Sequence, residues 1–382
     1  MYFSPTARSW VCLQGLSRST NGWVWFLICC LFLGACVDGQ DEDRWCGNRR
    51  LESGDLVVLS TDFSSSSVDV ARPRCGGRWS GLLVGPGDLA LRSGTSQFYV
   101  LDRSTNGSIT AIDADGELRW QTALETCGAH DLIEVSAQWG AISCYDDDSL
   151  RFIRLETGAL SMGPSLLSEA DSDGIPEMDR LALVDGEYLV VSIQRLGRAD
   201  GYRPTAAGRI VRGRLSFESD APPRVDSWEG LDIDGLENPV TALEVDGLSL
   251  TLGFAGNWQG DASSAGRASV EVDPLGVSAR SFSDPQRLWQ SAGTWWVGSS
   301  TVPGSLEVET MRLVRELEAG PEEVWETSGF SVGGIAVAPN ESLYLAHRPN
   351  GAPSEILEFD SGGGLTARYP WPLKPWELLF VP

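Results

Sequence analysis

The sequence is almost devoid of lysine and histidine. Lys374 is the single lysine, and His130 and His347 are the only histidines among 382 residues. Two histidines cannot build a three-histidine metal site. Acidic residues outnumber basic ones by 53 to 29, which gives a net charge of −24 at pH 7. A chain this acidic repels phosphate groups, which argues against nucleic acid and anionic membrane surfaces as partners but is compatible with cations and basic proteins.

The sequence also lacks an apolar segment of membrane-spanning length. The apolar run Trp23–Ala35 follows Arg8 and Arg18, with no acidic residue before it. This run is too short for a stable anchor and is typical of the hydrophobic core of a signal peptide. It ends in Leu33-Gly34-Ala35-Cys36, which matches the lipobox of bacterial lipoproteins, in which the new N-terminal cysteine is lipidated. The alternatives are a plain secretory signal with a chance cysteine, or an uncleaved anchor.

These features predict three parts. Residues 1–35 are a signal peptide, residues 36–53 are the lipidated Cys36 and a polar tether, and residues 54–382 are the folded domain. Removal of the signal leaves 27 basic and 53 acidic residues, a net charge of −26. The predicted location is the cell envelope, with the lipid holding the domain at the outer membrane or at a periplasmic or extracellular face.

Zinc-knuckle spacing is absent, because no Cys-x-x-Cys motif follows the signal. Apart from Cys36, four cysteines follow the signal: Cys46, Cys75, Cys127 and Cys144. An even number in an exported chain indicates two disulfides, and four cysteines allow three pairings. Proximity along the chain favours Cys46–Cys75 and Cys127–Cys144.

Helical periodicity does not dominate any part of the chain, whereas short alternating runs cut by turns recur throughout. The clearest example is Phe98–Trp120, in which Thr105-Asn106-Gly107 and Asp115-Gly116 separate three apolar runs. Such runs indicate consecutive antiparallel strands. Three or four strands in about 40 residues, repeated, is the period of a propeller blade.

The repeat predicts an all-β fold, a β-propeller with seven blades, six being the alternative. The run Leu306–Leu317 has helical propensity, but its β-branched residues in a strand-rich region favour a strand. The terminal strands, including Trp376–Pro382, are expected to pair in one blade and close the ring, because closure removes exposed sheet edges. The six internal blades are predicted at Asp88–Leu124, Leu132–Leu166, Arg180–Trp228, Pro239–Phe282, Leu288–Trp325 and Gly334–Trp371. Pro73–Ser80 is predicted to be a loop, and the first strand of the blade at Pro239–Phe282 is predicted at Val240–Gly247.

Several stretches resemble known propeller repeats. Gly334–Gly364 is similar to NHL and gluconolactonase-like repeats, and Ala111–Trp120 resembles the quinoprotein repeat, in which a Trp docks one blade on the next. More broadly, residues 54–215 resemble a family of propeller-type lipoproteins of Gram-negative bacteria that has no assigned activity. The resemblance implies fold and export, and it is carried by Val57–Val70, Leu101–Asp113, Ala129–Leu132, Ala170–Leu181 and Leu189–Leu196.

One acidic loop is a candidate calcium site. Asp171, Asp173, Glu177 and Asp179 surround Gly174 in the stretch Ala-Asp-Ser-Asp-Gly-Ile-Pro-Glu-Met-Asp. Calcium prefers six to eight hard oxygen ligands from a loop that folds around it. The alternative is an acidic turn between blades, in which Asp and Gly serve turn geometry.

His130 and Asp131 are candidate channel residues, because they begin a blade and the innermost strands of a propeller line its channel. The alternative is a histidine hydrogen-bonded within a turn between blades.

The sequence thus predicts a lipid-anchored propeller that serves as a binding or scaffold module. Its partner would be an envelope protein or an extracellular ligand at the mouth of the channel, where loops converge. The alternative is a metal-dependent hydrolase of the gluconolactonase-like type. Calcium is the one candidate cofactor of the protein.

Overall fold

Seven four-stranded antiparallel sheets surround a central axis in the computed structural model. It describes residues 50–257, 263–282, 287–301 and 307–381. Those ranges contain no α-helix, only single 3-10 turns at Pro73–Cys75, Leu167–Glu169 and Arg198–Asp200. Within them, no helix is long and apolar enough to cross a membrane. The predicted fold, an all-β propeller with seven blades, is confirmed.

Blades 1 to 4 take up the first half of the described chain. In each blade the strand nearest the axis pairs outward with the next, and so on to the edge. Blade 1 contains β1 (Leu56–Thr61), β2 (Ser65–Arg72) and β3 (Gly77–Pro86); blade 2 contains β4 (Leu89–Ser93), β5 (Gln97–Asp102), β6 (Ser108–Asp113) and β7 (Leu118–Ala123). Blade 3 contains β8 (Ala129–Glu134), β9 (Trp139–Cys144), β10 (Ser149–Arg154) and β11 (Leu160–Ser165); blade 4 contains β12 (Met178–Val184), β13 (Tyr188–Ile193), β16 (Arg209–Ser216) and β17 (Arg224–Asp232). A small hairpin of β14 (Leu196–Gly197) and β15 (Arg203–Pro204) lies between β13 and β16.

Blades 5 to 7 repeat the same meander, and the last strand returns to blade 1. Blade 5 contains β18 (Glu244–Asp246), β19 (Ser249–Phe254), β20 (Gly266–Glu271) and β21 (Gly276–Phe282); blade 6 contains β22 (Arg287–Ala292), β23 (Trp295–Thr301), β24 (Val308–Leu317) and β25 (Gly320–Ser328); blade 7 contains β26 (Val332–Val337), β27 (Leu343–His347), β28 (Ser354–Phe359) and β29 (Leu365–Trp371); β30 (Pro375–Phe380) is the innermost strand of blade 1.

The two faces of the ring differ in which loops they carry. We call the face at which the innermost strands begin the front face, and the opposite one the back face. Consecutive strands in a blade are antiparallel, so the loop between the second and third strands of each blade also lies on the front face. The hairpin of β14 and β15 therefore projects from the front face of blade 4.

Blade 2 shows how local sequence sets the repeat. Gly116 turns the chain between β6 and β7 with φ of +74°, and a Cβ there would lie 2.1 Å from the ring of Trp79 in blade 1. Trp120 of β7 is buried, and its Nε1 donates a hydrogen bond of 2.8 Å to the Leu155 carbonyl in blade 3. Trp120 thus docks blade 2 on blade 3, as the quinoprotein-like repeat implies.

The ring is closed by its two ends. β30 pairs with β1 in antiparallel register, with Leu56 opposite Phe380 and Leu59 opposite Glu377. On its other side β30 packs closely against β26, because a Cβ at Gly333 would lie 2.6 Å from the Trp376 carbonyl oxygen. The predicted blade made from both termini is confirmed.

The hydrophobic core lies between the blades rather than in one central mass. One buried cluster joins blades 2 to 4, and others join blades 4 and 5, blades 1 and 2, blades 6 and 7, and blades 7 and 1. Each blade is therefore stabilised by its neighbours, so an open ring would expose two apolar faces to water.

Two segments differ from the sequence-based prediction, and one ambiguous segment is resolved. The stretch Pro73–Ser80 was predicted as a loop, yet β3 begins at Gly77 and forms the outer edge of blade 1. Its exposed edge position and its glycines remove the apolar alternation that marks a strand. In blade 5, Thr241 Oγ1 accepts a hydrogen bond from the Gly253 N–H, and the predicted long inner strand is reduced to Glu244–Asp246. The segment with helical propensity is a strand, β24.

Closure predicts that deletion of Trp376–Pro382 abolishes the cooperative melting transition of the full chain, because blade 1 then loses its innermost strand. The control is Leu378→Ala, which removes one buried side chain of β30 and should lower the free energy of unfolding by about 2–5 kcal/mol while the ring still folds. Circular dichroism melting curves distinguish the two variants. A truncated chain that melts like the wild type would refute closure by β30.

Candidate functional site

The central channel is narrow, with a cavity of about 300 Å³. This volume is at the lower limit for small-molecule pockets. Its wall takes residues from the innermost segment of every blade, including Glu377, Arg92, Asp131, Arg180, Leu243, Gln290 and Gly334.

A chain of charged groups crosses this channel. Arg92 of β4 lies between two carboxylates: Glu377 of β30, at 3.0 Å, and Asp131 of β8. Glu377 also accepts a 2.6 Å hydrogen bond from the Leu91 N–H, and Asp131 accepts one of 2.8 Å from the Leu181 N–H in β12. The three side chains thus join blades 1, 2, 3 and 4 at the axis.

The electrostatics of this chain are those of a compensated buried charge. Burial alone lowers the pKa of Arg92, but Asp131 and Glu377 outweigh burial, so the pKa lies above its ordinary value. Charge-assisted hydrogen bonds of this kind are strong when both partners are withdrawn from water. The predicted channel residue Asp131 is therefore a structural partner of Arg92, fully engaged by protein donors.

A second polar cluster lies at the front face of blades 3 and 4. His130 Nδ1 is 3.0 Å from Asp179 Oδ1, and the imidazole stacks on the ring of Tyr145 at a centroid distance of 4.0 Å. Gln194 donates to Asp179 Oδ2 at 3.1 Å and accepts from the Tyr145 hydroxyl at 3.1 Å. The structure thus unites His130 with Asp179, which the sequence had placed in two separate candidate sites.

Burial and charge determine the protonation of this cluster. Burial lowers the pKa of His130 more than Asp179 raises it, so the imidazole is neutral at pH 7. Burial raises the pKa of Asp179, but Arg180 and the hydrogen bond with His130 lower it by more. The pKa of Asp179 therefore lies below its ordinary value, and the carboxylate is ionised. A carboxylate that orients a neutral imidazole is an arrangement found in general bases. The nearby hydroxyl of Ser143 is bonded to the Asp179 carbonyl and is not presented to His130.

Glu177 is fully buried beside this cluster and anchors the front-face hairpin. Its carboxylate accepts hydrogen bonds from Arg198 Nε, at 3.1 Å, and from the Leu196 N–H, at 3.1 Å. Arg198 also pairs with Asp146 at 2.8 Å. Burial raises the pKa of Glu177 to about 7, against these hydrogen bonds, which lower it.

The four carboxylates of the predicted calcium loop are not brought together. Asp171 Oδ1 accepts from the Asp173 N–H, and Asp173 Oδ1 from the Ile175 N–H, as in polar turns. Glu177 faces Arg198, and Asp179 faces His130. Within the described ranges, no three His, Cys, Asp or Glu side chains form a group that could hold a metal ion. Calcium binding by this loop stays a prediction.

Asn238 is a polar residue that the sequence did not single out. It precedes blade 5 at the front face, has φ of +58° and is 1% exposed. Among the described residues, neither its amide nitrogen nor its amide oxygen has a hydrogen-bond partner. Only backbone position and burial mark it, and neither is visible in the sequence.

The pentapeptide Gly329–Gly333 fits the pattern Gly-x-Ser-x-Gly of serine hydrolases. Here it leads into β26 rather than into a helix, and Ser331 is 1% exposed. Its hydroxyl donates to the Thr327 hydroxyl at 3.1 Å and to the Ser328 carbonyl at 3.2 Å. His347, on the adjacent strand, is bound to Glu355 at 2.9 Å. Ser331 therefore stabilises a turn and is not an activated nucleophile.

Cys127 and Cys144 form a disulfide in blade 3, the pairing that chain proximity favoured. Cys75 is also disulfide-bonded. Cys46, its predicted partner, and Cys36, the predicted lipidation site, lie outside the described residues.

No family model and no curated protein matches this sequence. Solved structures do resemble the fold. A suspected 6-phosphogluconolactonase of Bacteroides uniformis is 14% identical, with a TM-score of 0.56 over 86% of this chain and 99% of its own. A suspected 6-phosphogluconolactonase of Bacteroides fragilis is 14% identical, with a TM-score of 0.57 over 86% of this chain and 98% of its own. The dihydro-heme d1 dehydrogenase NirN is 12% identical, with a TM-score of 0.50 over 88% of this chain and 78% of its own. These similarities establish the propeller fold alone.

The raised pKa of Glu177 predicts a pH-dependent stability. The protonated form is favoured in the folded state, so the contribution of this group is present below pH 4.5, its ordinary pKa, and is lost as pH rises through about 7. Glutamine cannot ionise, so Glu177→Gln should not lose this stability as the pH rises. The free energy of unfolding of Glu177→Gln should therefore increase relative to that of the wild type between about pH 5 and about pH 8. Urea unfolding measures the difference, with exposed Glu156→Gln as control. A difference that does not change with pH would contradict the assignment.

Proposed function

We propose that this chain is an exported, lipid-anchored β-propeller whose front face binds a protein partner in the bacterial cell envelope. In this role the ring is a rigid scaffold, and specificity resides in the loops that it holds in place.

The front-face hairpin of blade 4 carries this proposal. Within the described chain it is the one strand pair added to the regular four-stranded blades. Its base is fixed by the buried Glu177 and by Asp146, both bound to Arg198. Its tip presents Tyr202, which is 48% exposed and has φ of +60°. A rigidly anchored loop with an exposed aromatic tip is typical of a protein-binding surface.

The channel supports binding over catalysis. The charged side chains Arg92, Asp131 and Glu377 are bound to one another, so their acid–base capacity is used in holding blades together. A gluconolactonase-like hydrolase would need carboxylates and amides that converge on one ion, and no specific observation favours that alternative. The two similar Bacteroides proteins share the fold at 14% identity and add no residue-level support.

The proposed location rests on the sequence. The apolar run Trp23–Ala35 and the lipobox that ends at Cys36 provide a signal and an anchor. The acidic body would stay clear of anionic lipid surfaces, so the lipid would be its only membrane contact.

Site-specific photo-crosslinking in cells tests the binding face. A photoreactive residue at Tyr202 should form an adduct with one envelope protein, whereas the same residue at the exposed back-face position Ala137 should not. Deletion of the hairpin tip should remove an adduct formed from a neighbouring front-face position. Equal adducts at Tyr202 and Ala137, or none at Tyr202, would contradict the proposal.

Lipid anchoring makes a separate prediction. Cys36→Ser should abolish incorporation of labelled fatty acid and move the protein from the membrane fraction to the soluble fraction. Cys75→Ser is the matched control, since it removes a cysteine of the folded domain and should leave the label in place. Labelled fatty acid in Cys36→Ser would contradict lipidation at that residue.

A further inference from the structure

One buried cation in this acidic protein has no counter-ion. Arg348 follows β27 at the front face of blade 7 and is 5% exposed. Its backbone N–H donates to the Ser331 carbonyl at 2.7 Å. Across the described chain its guanidinium makes no hydrogen bond or ion pair, and Nη1 is buried without a partner. Every other deeply buried arginine of the ring, such as Arg72 and Arg92, is bound to a carboxylate or a carbonyl.

The guanidinium of Arg348 lies against aromatic rings instead. Its central carbon is 5.0 Å from the ring of Phe63 and 5.0 Å from that of Trp376, and these two rings are 5.1 Å apart. The three centres form a nearly equilateral triangle, so the two rings lie next to each other around the guanidinium. Cation–π attraction offsets part of the cost of burial but satisfies none of the N–H donors.

An uncompensated buried guanidinium is costly. Arginine stays protonated in proteins, so it cannot escape the cost by losing its charge. Burial lowers the pKa of Arg348, and no neighbouring carboxylate acts to raise it. A buried charge without a partner destabilises the fold. An anion that reached this group would recover that cost on binding.

The cover over Arg348 is held in a strained position. Phe63 is 59% exposed and has φ of +67°, which is unfavourable for a residue with a bulky side chain. Its N–H donates to Thr61 Oγ1 at 2.9 Å, and Thr61 donates to the Gly87 carbonyl at 2.7 Å. The Asp62 carboxylate accepts hydrogen bonds from the backbone N–H groups of Ser64 and Ser65. The loop thus fixes an exposed aromatic ring over a buried charge, and strain of this kind is characteristic of ligand clamps.

The aromatic surface continues away from Arg348 across the front face. The ring of Trp376 is 6.0 Å from that of Phe330, and Phe330 is 5.3 Å from Trp289. The row extends from blade 1 through blade 7 to blade 6. Aromatic rings of this kind accept the apolar part of a ligand.

We propose that Arg348, Phe63, Trp376 and Phe330 form a binding site for a small carboxylate with an apolar body. The carboxylate pairs with the Arg348 guanidinium, and the apolar body lies on the aromatic row. A monoanion neutralises the single guanidinium, whereas a phosphate dianion would leave an excess negative charge among aromatic rings. This inference is independent of the partner-binding role of the blade 4 hairpin, which lies elsewhere on the front face.

Calorimetric titration of the full chain in detergent tests the site, with phenylacetate as the probe. Phenylacetamide is the neutral control of the same shape, and inorganic phosphate is the anion without an apolar body. We expect phenylacetate to bind and to raise the melting temperature, and both controls to bind at least tenfold more weakly, because a charge-assisted hydrogen bond or an apolar contact is missing.

Three variants separate this site from a structural role. Arg348→Met should weaken phenylacetate binding roughly tenfold or more and should melt no lower than the wild type, because it removes an unpaired buried charge. Phe63→Ala, at an exposed position, should fold and should also weaken binding. Arg119→Met, at an exposed arginine of blade 2, is the matched control and should bind as the wild type does.

The proposal is overturned if the wild type does not bind phenylacetate, or if phenylacetamide or phosphate binds as tightly. It is also overturned if Arg348→Met binds as the wild type does. If Arg348→Met melts well below the wild type, the description of Arg348 as an uncompensated charge is wrong. If that variant does not fold, undiminished binding by Phe63→Ala is the result that refutes the proposal.

Discussion

The structure depends on closing a ring whose two ends are far apart in sequence. A propeller blade is buried by its neighbours, so the first and last blades of an open array would leave apolar faces in water. Here β30 supplies the innermost strand of blade 1 and β1 to β3 supply the rest. At the axis, Glu377 of β30 reaches Arg92 of blade 2, and Arg92 reaches Asp131 of blade 3. Closure is thus held by backbone pairing of β30 with β1 and by a compensated buried charge that joins β30 to blade 2.

Most of the fold could be predicted from the sequence, since blades are local meanders whose turns are encoded by short motifs. Thr105-Asn106-Gly107 and Asp115-Gly116 mark the hairpins of blade 2, and all seven blades were located. Two strands were predicted incorrectly, each for a physical reason. β3 is an exposed edge strand with little apolar alternation, and in blade 5 the side chain of Thr241 takes a hydrogen bond from the next strand and shortens β18.

The candidate sites were less predictable, because they are built from residues far apart in the chain. The sequence identified His130 and the loop that contains Asp179, but not their contact, since 49 positions separate them. It placed Glu177 among the candidate calcium ligands, but it did not reveal that Glu177 is buried and bound to Arg198, 21 positions away. Arg348 and Asn238 carry no motif at all. Their importance lies in polar atoms that are buried without partners in the part of the chain that the structure describes, which only the packing of neighbouring blades creates.

A double-mutant cycle on Arg92 and Glu377 tests the central claim, that a buried charge pair holds the closing strand to the ring. The free energy of urea unfolding would be measured for the full chain, for Arg92→Met, for Glu377→Gln and for the double variant. If the pair acts as described, the two single effects are coupled by about 1 kcal/mol or more. Effects that add to within about 0.5 kcal/mol would show that the side chains act independently, and that backbone pairing alone closes the ring.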